Sequence, residues 1–184
     1  MISFIKKQRG KRIILSRIYH TAIIVILCLF VTACGYKFSG GGDLPEGIQS
    51  LSFGVLENRT REIGLESQIA NDLIYQFTRF SNIELTDKNK ADAQLTGIIK
   101  SAATRTISHK SANVPTERRI QVVLDMKLTS SDGKVIWSAD SISAYETYDV
   151  DSDKPQTEQN KKSALATLSS RVAERIYYRL TDNF

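Results

Sequence analysis

Residues 119–129, RIQVVLDMKLT, carry the clearest secondary-structure signal in the chain. Its even positions carry Ile, Val, Leu, Met and Leu, whereas its odd positions are mostly polar or charged. Alternation with a period of two predicts a β-strand with one buried and one solvated face. Asp132-Gly133 then gives a hairpin turn signal, and residues 135–147 follow as the partner strand. The stretch therefore predicts an antiparallel hairpin.

Segments with helical spacing lie on both sides of this hairpin in the sequence. Residues 65–80 carry an i, i+4 apolar row opposite a polar face, and apolar residues repeat every four positions over 164–180. Further strands are predicted over residues 48–56 and 91–108. The order β-α-β-β-β-α predicts an α+β fold, with two helices packed on one face of a mainly antiparallel four-stranded sheet.

The first 33 residues have the pattern of a secretory signal. They hold six basic residues and no acidic ones, and the uncharged apolar run 22–31 is about half the length that crosses a bilayer. The whole chain has 25 Lys and Arg against 20 Asp and Glu. Without the signal the balance is close to neutral, so the basic charge is no evidence for a nucleic-acid-binding domain.

The residues around Cys34 resemble a bacterial lipobox, Val31-Thr32-Ala33-Cys34. The resemblance implies a diacylglycerol on the Cys34 thiol, cleavage before it and an N-acyl chain, an anchor of the kind that holds a protein stably. Gly35 stands where an Asp would resemble an inner-membrane retention signal, which favours the outer membrane. The alternative is an uncleaved anchor, or an ordinary signal peptide with a chance cysteine.

These features divide the chain into three parts. Residues 1–33 are the predicted lipoprotein signal peptide, residues 34–47 a lipidated tether with five of the ten glycines, and residues 48–184 a single α+β periplasmic domain. The two cysteines are Cys28 in the signal and Cys34. A mature domain of this kind has neither a free thiol nor a disulfide.

Several short motifs occur in an order that resembles the LPS-assembly lipoproteins, the LptE family, along the mature chain. The motifs are Cys34-Gly35-Tyr36-Lys37-Phe38, Leu44-Pro45-Glu46-Gly47-Ile48, Glu57-Asn58-Arg59-Thr60, Gly64-Leu65-Glu66 and Ala91-Asp92-Ala93-Gln94-Leu95-Thr96-Gly97-Ile98-Ile99. The resemblance implies a lipid-anchored protein on the periplasmic face of the outer membrane. It implies a 1:1 complex in which the protein plugs the LptD β-barrel and supports its assembly. It also implies binding of lipopolysaccharide or lipooligosaccharide and its transport to the outer leaflet.

The same resemblance implies a protein that is not an enzyme and that has no cofactor besides the acyl chains on Cys34. The alternative function is an independent periplasmic-facing lipoprotein with a structural or envelope-anchoring role. A lipid-anchored hydrolase is the least favoured class. His109 is the one imidazole left after the signal, and without a thiol the mature domain has no Cys/His nucleophile pair or Cys/His zinc site.

A basic stretch marks the candidate ligand site. Residues 100–119 hold five cations and one acidic residue, and lipopolysaccharide carries phosphates that an Arg fork or a Lys point charge can bind. The family resemblance implies basic ligand-binding residues at this hairpin end and near the loop before the last helix. The lipopolysaccharide-binding candidates are Arg105, Lys110, Arg118, Arg119 and Lys154. The alternative is a solvated hairpin end.

An acidic stretch, residues 140–158, has the opposite charge. Asp149, Asp151 and Asp153 have the spacing of the first three ligands of an EF-hand loop. The match then fails, because Lys154 stands where Gly is required and Asn160 where the bidentate Glu belongs. No metal site is predicted here, and a solvated loop or one that meets a basic rim of the barrel is favoured.

Overall fold

Two helices and five strands make up the fold, seen in a computed structural model that describes residues 44–111 and 114–181. A 3-10 turn, Pro45–Gly47, precedes them. In chain order the elements are β1 (Ser50–Asn58), α1 (Leu65–Phe80), β2 (Glu84–Leu85), β3 (Ala93–Ser111), β4 (Val114–Ser130), β5 (Val135–Asp149) and α2 (Lys154–Thr181). The α+β class is confirmed. No helix in these described ranges combines the length and the apolar character needed to cross a bilayer.

The sheet has the strand order β2-β1-β3-β4-β5 and is mixed. Strand β1 runs parallel to both β2 and β3, whereas β3–β4 and β4–β5 are antiparallel. The prediction of four strands was wrong in number, because the sheet has five, and both pairings of β1 are parallel in a sheet whose longest pairings are antiparallel. The missed strand, β2, has two residues, too few for a period to show. Helix α1 makes β1 and β3 parallel, because it returns the chain to the edge at which β1 begins.

Both helices pack on one face of the sheet. The even-numbered apolar residues of β4 from Ile120 to Leu128 are all buried, as the alternation predicts. They belong to the same core cluster as the buried row of α1, made by Leu65, Ile69, Leu73 and Phe77. Phe77 also contacts Tyr177 of α2 edge to face, with ring centroids 5.1 Å apart. Ile74, an apolar residue of the same helix, lies outside this row and is exposed.

The two helices run parallel to one another. Lys161 Nζ lies 2.6 Å from Glu62 Oε1 near their amino ends, and the Tyr177 hydroxyl donates to the Phe80 carbonyl at their carboxyl ends. Helix α2 begins at Lys154, inside the stretch predicted as a polar loop. Thr157 is the one buried residue among residues 154–163, so no apolar period reveals this part of the helix.

The β3–β4 hairpin extends beyond β1, and β5 accompanies β4 as far as the Glu117–Asp149 pair. The last residue pair of β1 with β3 is Asn58–Ile99, whereas β3 continues to Ser111 and β4 begins at Val114. His109, predicted near the tip, lies within β3 opposite Pro115. At the other end of β4, Gly133 has φ +88° in the turn to β5, which confirms the predicted Asp132-Gly133 hairpin. The hairpin positions the candidate site.

Candidate functional site

The face of the sheet that the helices leave open is organised around Asp125. Its Oδ1 lies 2.7 Å from Lys100 Nζ and accepts a hydrogen bond of 2.7 Å from the Ser141 backbone N–H. Lys100 also donates to Ser141 Oγ, at 3.2 Å. The Lys100 ammonium and then the Ser141 N–H lower the pKa of Asp125, because both stabilise its charged form. Strands β3, β4 and β5 are thus joined just past the point where β1 ends.

Strand irregularities create this arrangement. The β3–β4 register shifts at Lys100, and the β4–β5 register shifts between Ala139 and Ile142. Ser141 there has φ +54°, a left-handed conformation that few non-glycine residues adopt and that occurs in one type of β-bulge. Both bulges turn polar groups toward Asp125. Lys100, one of the cations of the basic stretch, is therefore engaged by a carboxylate and is a weaker candidate for a ligand contact.

Arg105 and Arg119 lie directly opposite one another further along the hairpin, and both are exposed. Directly opposite side chains of an antiparallel pair project from the same face. The guanidinium carbon of Arg119 lies 4.5 Å from the ring centroid of Tyr145, a cation–π contact with a ring that is 55% exposed. The open face thus presents two planar cations beside an aromatic ring.

Arg118 and Lys154 lie on the other side of the sheet. Arg118 pairs with Tyr148, a buried residue, and shares the face of Ile120, which belongs to the core under the helices. Lys154 is the first residue of α2, where the positive end of the helix dipole disfavours a cation. The predicted cations thus form two groups at one end of the sheet, on opposite faces.

Two predicted site residues, Lys110 and Cys34, lie partly or wholly outside the described residues. Lys110 belongs to β3 by its backbone, but its side chain lies outside the described part of the chain. Cys34, with the signal and most of the tether, precedes Leu44, the first described residue. Their roles stay predictions.

The last part of the acidic stretch, from Asp149 onward, forms the amino-terminal cap of α2, whereas residues 140–148 belong to β5. Asp151 Oδ1 accepts from the Asp153 N–H at 2.9 Å, and Thr157 Oγ1 accepts from the Asp151 N–H at 2.9 Å. Asn160 Nδ2 donates to the Asp149 carbonyl. These capping contacts account for the spacing of Asp149, Asp151 and Asp153 that resembles the start of an EF-hand loop. Across the described residues no group of three or more His, Cys, Asp or Glu is arranged to hold a metal ion.

A known protein family matches most of this chain. The family model described as "LptE: Lipopolysaccharide-assembly" matches residues 48–180, which span β1 to the last turn of α2. The chain belongs to the LptE family. The comparison with curated proteins found no match.

Solved structures share the fold of this LptE-family chain. Uncharacterized lipoprotein B from Nitrosomonas europaea has a TM-score of 0.57 at 13% identity, with 80% of this chain and 90% of that chain covered. Rare lipoprotein B from Shewanella oneidensis has a TM-score of 0.54 at 15% identity, with coverages of 72% and 94%. At these identities the likeness shows the fold alone.

Sequence reasoning missed Tyr145 and a separate depression on the open face of the LptE-family fold. The depression, of about 380 Å³, lies on the open face nearer the middle of the sheet, and Val55, Ile98, Lys127 and Asp140 are among its lining residues. Tyr145 occupies an odd position of the predicted partner strand, and its alternation with buried Ala144 and Tyr148 marks it as outward-facing. A register for the hairpin would have placed it near Arg119.

Proposed function

We propose that this protein is an outer-membrane lipoprotein of lipopolysaccharide assembly. Acyl chains on Cys34 anchor it at the periplasmic face, and it binds the LptD β-barrel, supports its assembly and assists the delivery of lipopolysaccharide to the outer leaflet. The match of the LptE family to residues 48–180 carries the proposal, because it includes every strand and nearly all of both helices. The protein acts by binding and not as an enzyme.

Arg105 and Arg119 are the residues we assign to lipopolysaccharide phosphate. Two like charges directly opposite on neighbouring strands repel one another, so they weaken the hairpin when no anion is present. A phosphate group between them removes that repulsion and accepts bidentate hydrogen bonds from both guanidinium groups. Tyr145 holds the Arg119 guanidinium over its ring and so reduces the rotamers that Arg119 must give up on binding.

The second basic group serves a separate contact. Arg118 and Lys154 lie at the same end of the sheet but on the face that the helices cover. A phosphate bound between Arg105 and Arg119 on the open face therefore does not contact them. We assign them, with Lys110, to the barrel or to a second anionic group of the glycolipid. Reversing the charge of each group separately would distinguish these contacts.

Depletion of the protein in its native cells tests the role in lipopolysaccharide assembly. The expected result is loss of newly made lipopolysaccharide from the cell surface and its accumulation inside the envelope, restored by the wild-type gene. A variant with Cys34→Ser would test the anchor and should lose membrane association. Normal lipopolysaccharide at the surface of depleted cells would contradict the proposal and favour an independent envelope-anchoring lipoprotein.

A further inference from the structure

The bulge in β3 decides which face of the sheet carries Arg105. Opposite residues of an antiparallel pair share a face, so a shift of one residue moves all later side chains of a strand to the other face. The β3–β4 register shifts by one residue at Lys100. Without that shift Arg105 would lie opposite Arg118, on the face that the helices cover. The bulge thus brings Arg105 to Arg119 on the open face.

The bulge in β5 has the same effect on Tyr145. The β4–β5 register shifts by one residue around Ser141. Without this shift Tyr145 would lie opposite Ile120, a core residue, and Glu146 would lie opposite Arg119. A carboxylate there would neutralise Arg119, and the cation–π contact would be lost. The phosphate site that we propose therefore depends on two bulges.

Asp125 contacts both bulges from the strand between them. Its Oδ1 lies 2.7 Å from Lys100 Nζ and accepts a hydrogen bond of 2.7 Å from the Ser141 N–H. Lys100 also donates to Ser141 Oγ at 3.2 Å, which joins the two bulges to one another. Bulges interrupt the hydrogen bonds of a ladder, and these side-chain contacts offset that loss.

We propose that Asp125 is the positioning residue of the phosphate site, because it fixes the register that places Arg105 and Tyr145 beside Arg119. This inference rests on the proposed binding of lipopolysaccharide by Arg105 and Arg119. Asp125 stands six residues from Arg119 along β4, a separation of about 20 Å. That separation is about twice the Debye length at 0.1 M salt, so the charge of Asp125 has little direct effect on a bound phosphate. Asp125 acts through the register of the strands.

A disulfide across the hairpin reports this register. Ala103 and Gln121 are exposed and directly opposite one another on the open face, and opposite positions of an antiparallel pair are close enough for a disulfide. The double variant Ala103→Cys/Gln121→Cys is purified from outer membranes in mild detergent, as the lipidated protein with its retained barrel. Peptide mass mapping then measures the fraction that carries the 103–121 linkage.

The 103–121 linkage should form in protein that is otherwise wild type and should fall several-fold when Asp125→Ala is added. Cysteines at 102 and 121, which become opposite when the shift at Lys100 is lost, should cross-link instead. Lipopolysaccharide binding should also weaken several-fold in Asp125→Ala. Asp125→Asn keeps an oxygen that accepts from the Ser141 N–H, and it should recover most of the linkage and of the binding.

Two further variants separate register from overall stability. Lys100→Met removes the ammonium group but leaves the contact of Asp125 with the Ser141 N–H, so it should lower the linkage less than Asp125→Ala does. Asp92→Asn is the matched control, because Asp92 is a carboxylate that accepts from the Ser50 hydroxyl at the far end of β3. It should leave both the linkage and the binding unchanged.

A linkage that is unchanged in Asp125→Ala or in Lys100→Met would overturn the inference, and so would wild-type lipopolysaccharide binding by Asp125→Ala. Equal losses in Asp125→Ala and Asp92→Asn would also overturn it, because the register would then follow overall stability. Failure of the proposed function gives a different result: Arg105→Glu would leave lipopolysaccharide binding unchanged, whatever the linkage shows about Asp125.

Discussion

Arg105 and Arg119 stand directly opposite one another across the β3–β4 ladder, on the face of the sheet that no helix covers. A hairpin selected for stability alone would place opposite or neutral partners at such a pair, since like charges there repel. One of the two, Arg119, is also held against Tyr145. The pair thus gives up some stability to keep two cations together, which is what binding of a multiply charged anion requires.

Arg105→Glu should stabilise the fold and weaken ligand binding at once. The substitution replaces the repulsion with an ion pair to Arg119, so we expect the free energy of unfolding to rise by about 0.2–1 kcal/mol. Lipopolysaccharide binding should fall, and its salt dependence should become shallower. Urea unfolding and a lipopolysaccharide titration measure the two effects.

Lys127→Glu is the matched control for that variant, because it makes the same charge change on an exposed residue of β4 opposite Thr96. It should bring no gain in stability and little loss of binding. An Arg105→Glu protein that binds lipopolysaccharide as the wild type does would contradict the assignment of the pair.

Tyr145 should contribute to binding through its ring and not through its hydroxyl. Tyr145→Phe keeps a ring face for Arg119 and should bind lipopolysaccharide like the wild type. Tyr145→Ala removes the cation–π contact, worth about 0.5–1 kcal/mol at an exposed site, and should weaken binding by about two- to five-fold. Equal losses in both variants would instead point to the hydroxyl as the contacting group.

Asp92 should make the fold less stable in acid. Its Oδ2 accepts from the Ser50 hydroxyl at 2.8 Å and from the Ser50 and Gln49 N–H groups, which joins the starts of β1 and β3. These donors, the Ser50 hydroxyl first, lower the pKa of Asp92 in the folded state. A lowered pKa means that this contribution is present above the unfolded value, about 3.9, and is lost as the pH falls through the folded value.

The variant Asp92→Asn tests whether the charge of Asp92 stabilises the fold at neutral pH and not in acid. The variant should be less stable than the wild type at pH 7, and the difference should shrink at pH 3, as read from urea midpoints at the two values. Glu158→Gln, at an exposed position of α2, is the control and should follow the wild type at both. A deficit in Asp92→Asn that is as large at pH 3 as at pH 7 would show that its charge plays no part.

Asn58 should be needed for the loop that connects β1 to α1. Its Nδ2 donates to the Glu62 carbonyl at 2.9 Å and to Glu66 Oε2 at 2.6 Å, and its Oδ1 accepts from the Thr60 N–H. Asn58→Asp removes both donors and places a charge beside Glu66, so the free energy of unfolding should fall by about 1–3 kcal/mol.

Arg59→Ala supplies the comparison for the Asn58 variant. It breaks an exposed ion pair with Glu57 in the same loop, and such pairs contribute little, so a loss below about 1 kcal/mol is expected. Thermal unfolding of the two variants side by side decides the point, and equal losses would show that the loop does not depend on Asn58.

The elements with a regular apolar period could be predicted from the sequence. The alternation of β4 places Ile120 to Leu128 in the core, and helix α1 has the predicted bounds, because burial on one face imposes a period that single residues reveal. The start of α2 was not readable, since its first turn is set by hydrogen bonds of Asp151 and Thr157 and not by an apolar row.

The position of Tyr145 relative to Arg119 depends on β-bulges, which no local sequence pattern indicates. Continued without a shift from Thr129–Val135, the β4–β5 ladder would place Arg119 opposite Tyr145. Two one-residue shifts move Arg119 opposite Thr147 and leave Tyr145 diagonal to it, where the cation–π contact forms. Likewise, alternation alone places Arg118 and Arg119 on opposite faces, but their pairing with β3 is what joins Arg119 to Arg105.

Whether the protein binds LptD can be tested by affinity purification of the lipidated protein from outer membranes in mild detergent, with mass identification of its stoichiometric partners. We expect one LptD β-barrel per molecule of this LptE-family protein, retained through washing. Recovery of the acylated protein alone, from membranes in which LptD is present, would contradict it.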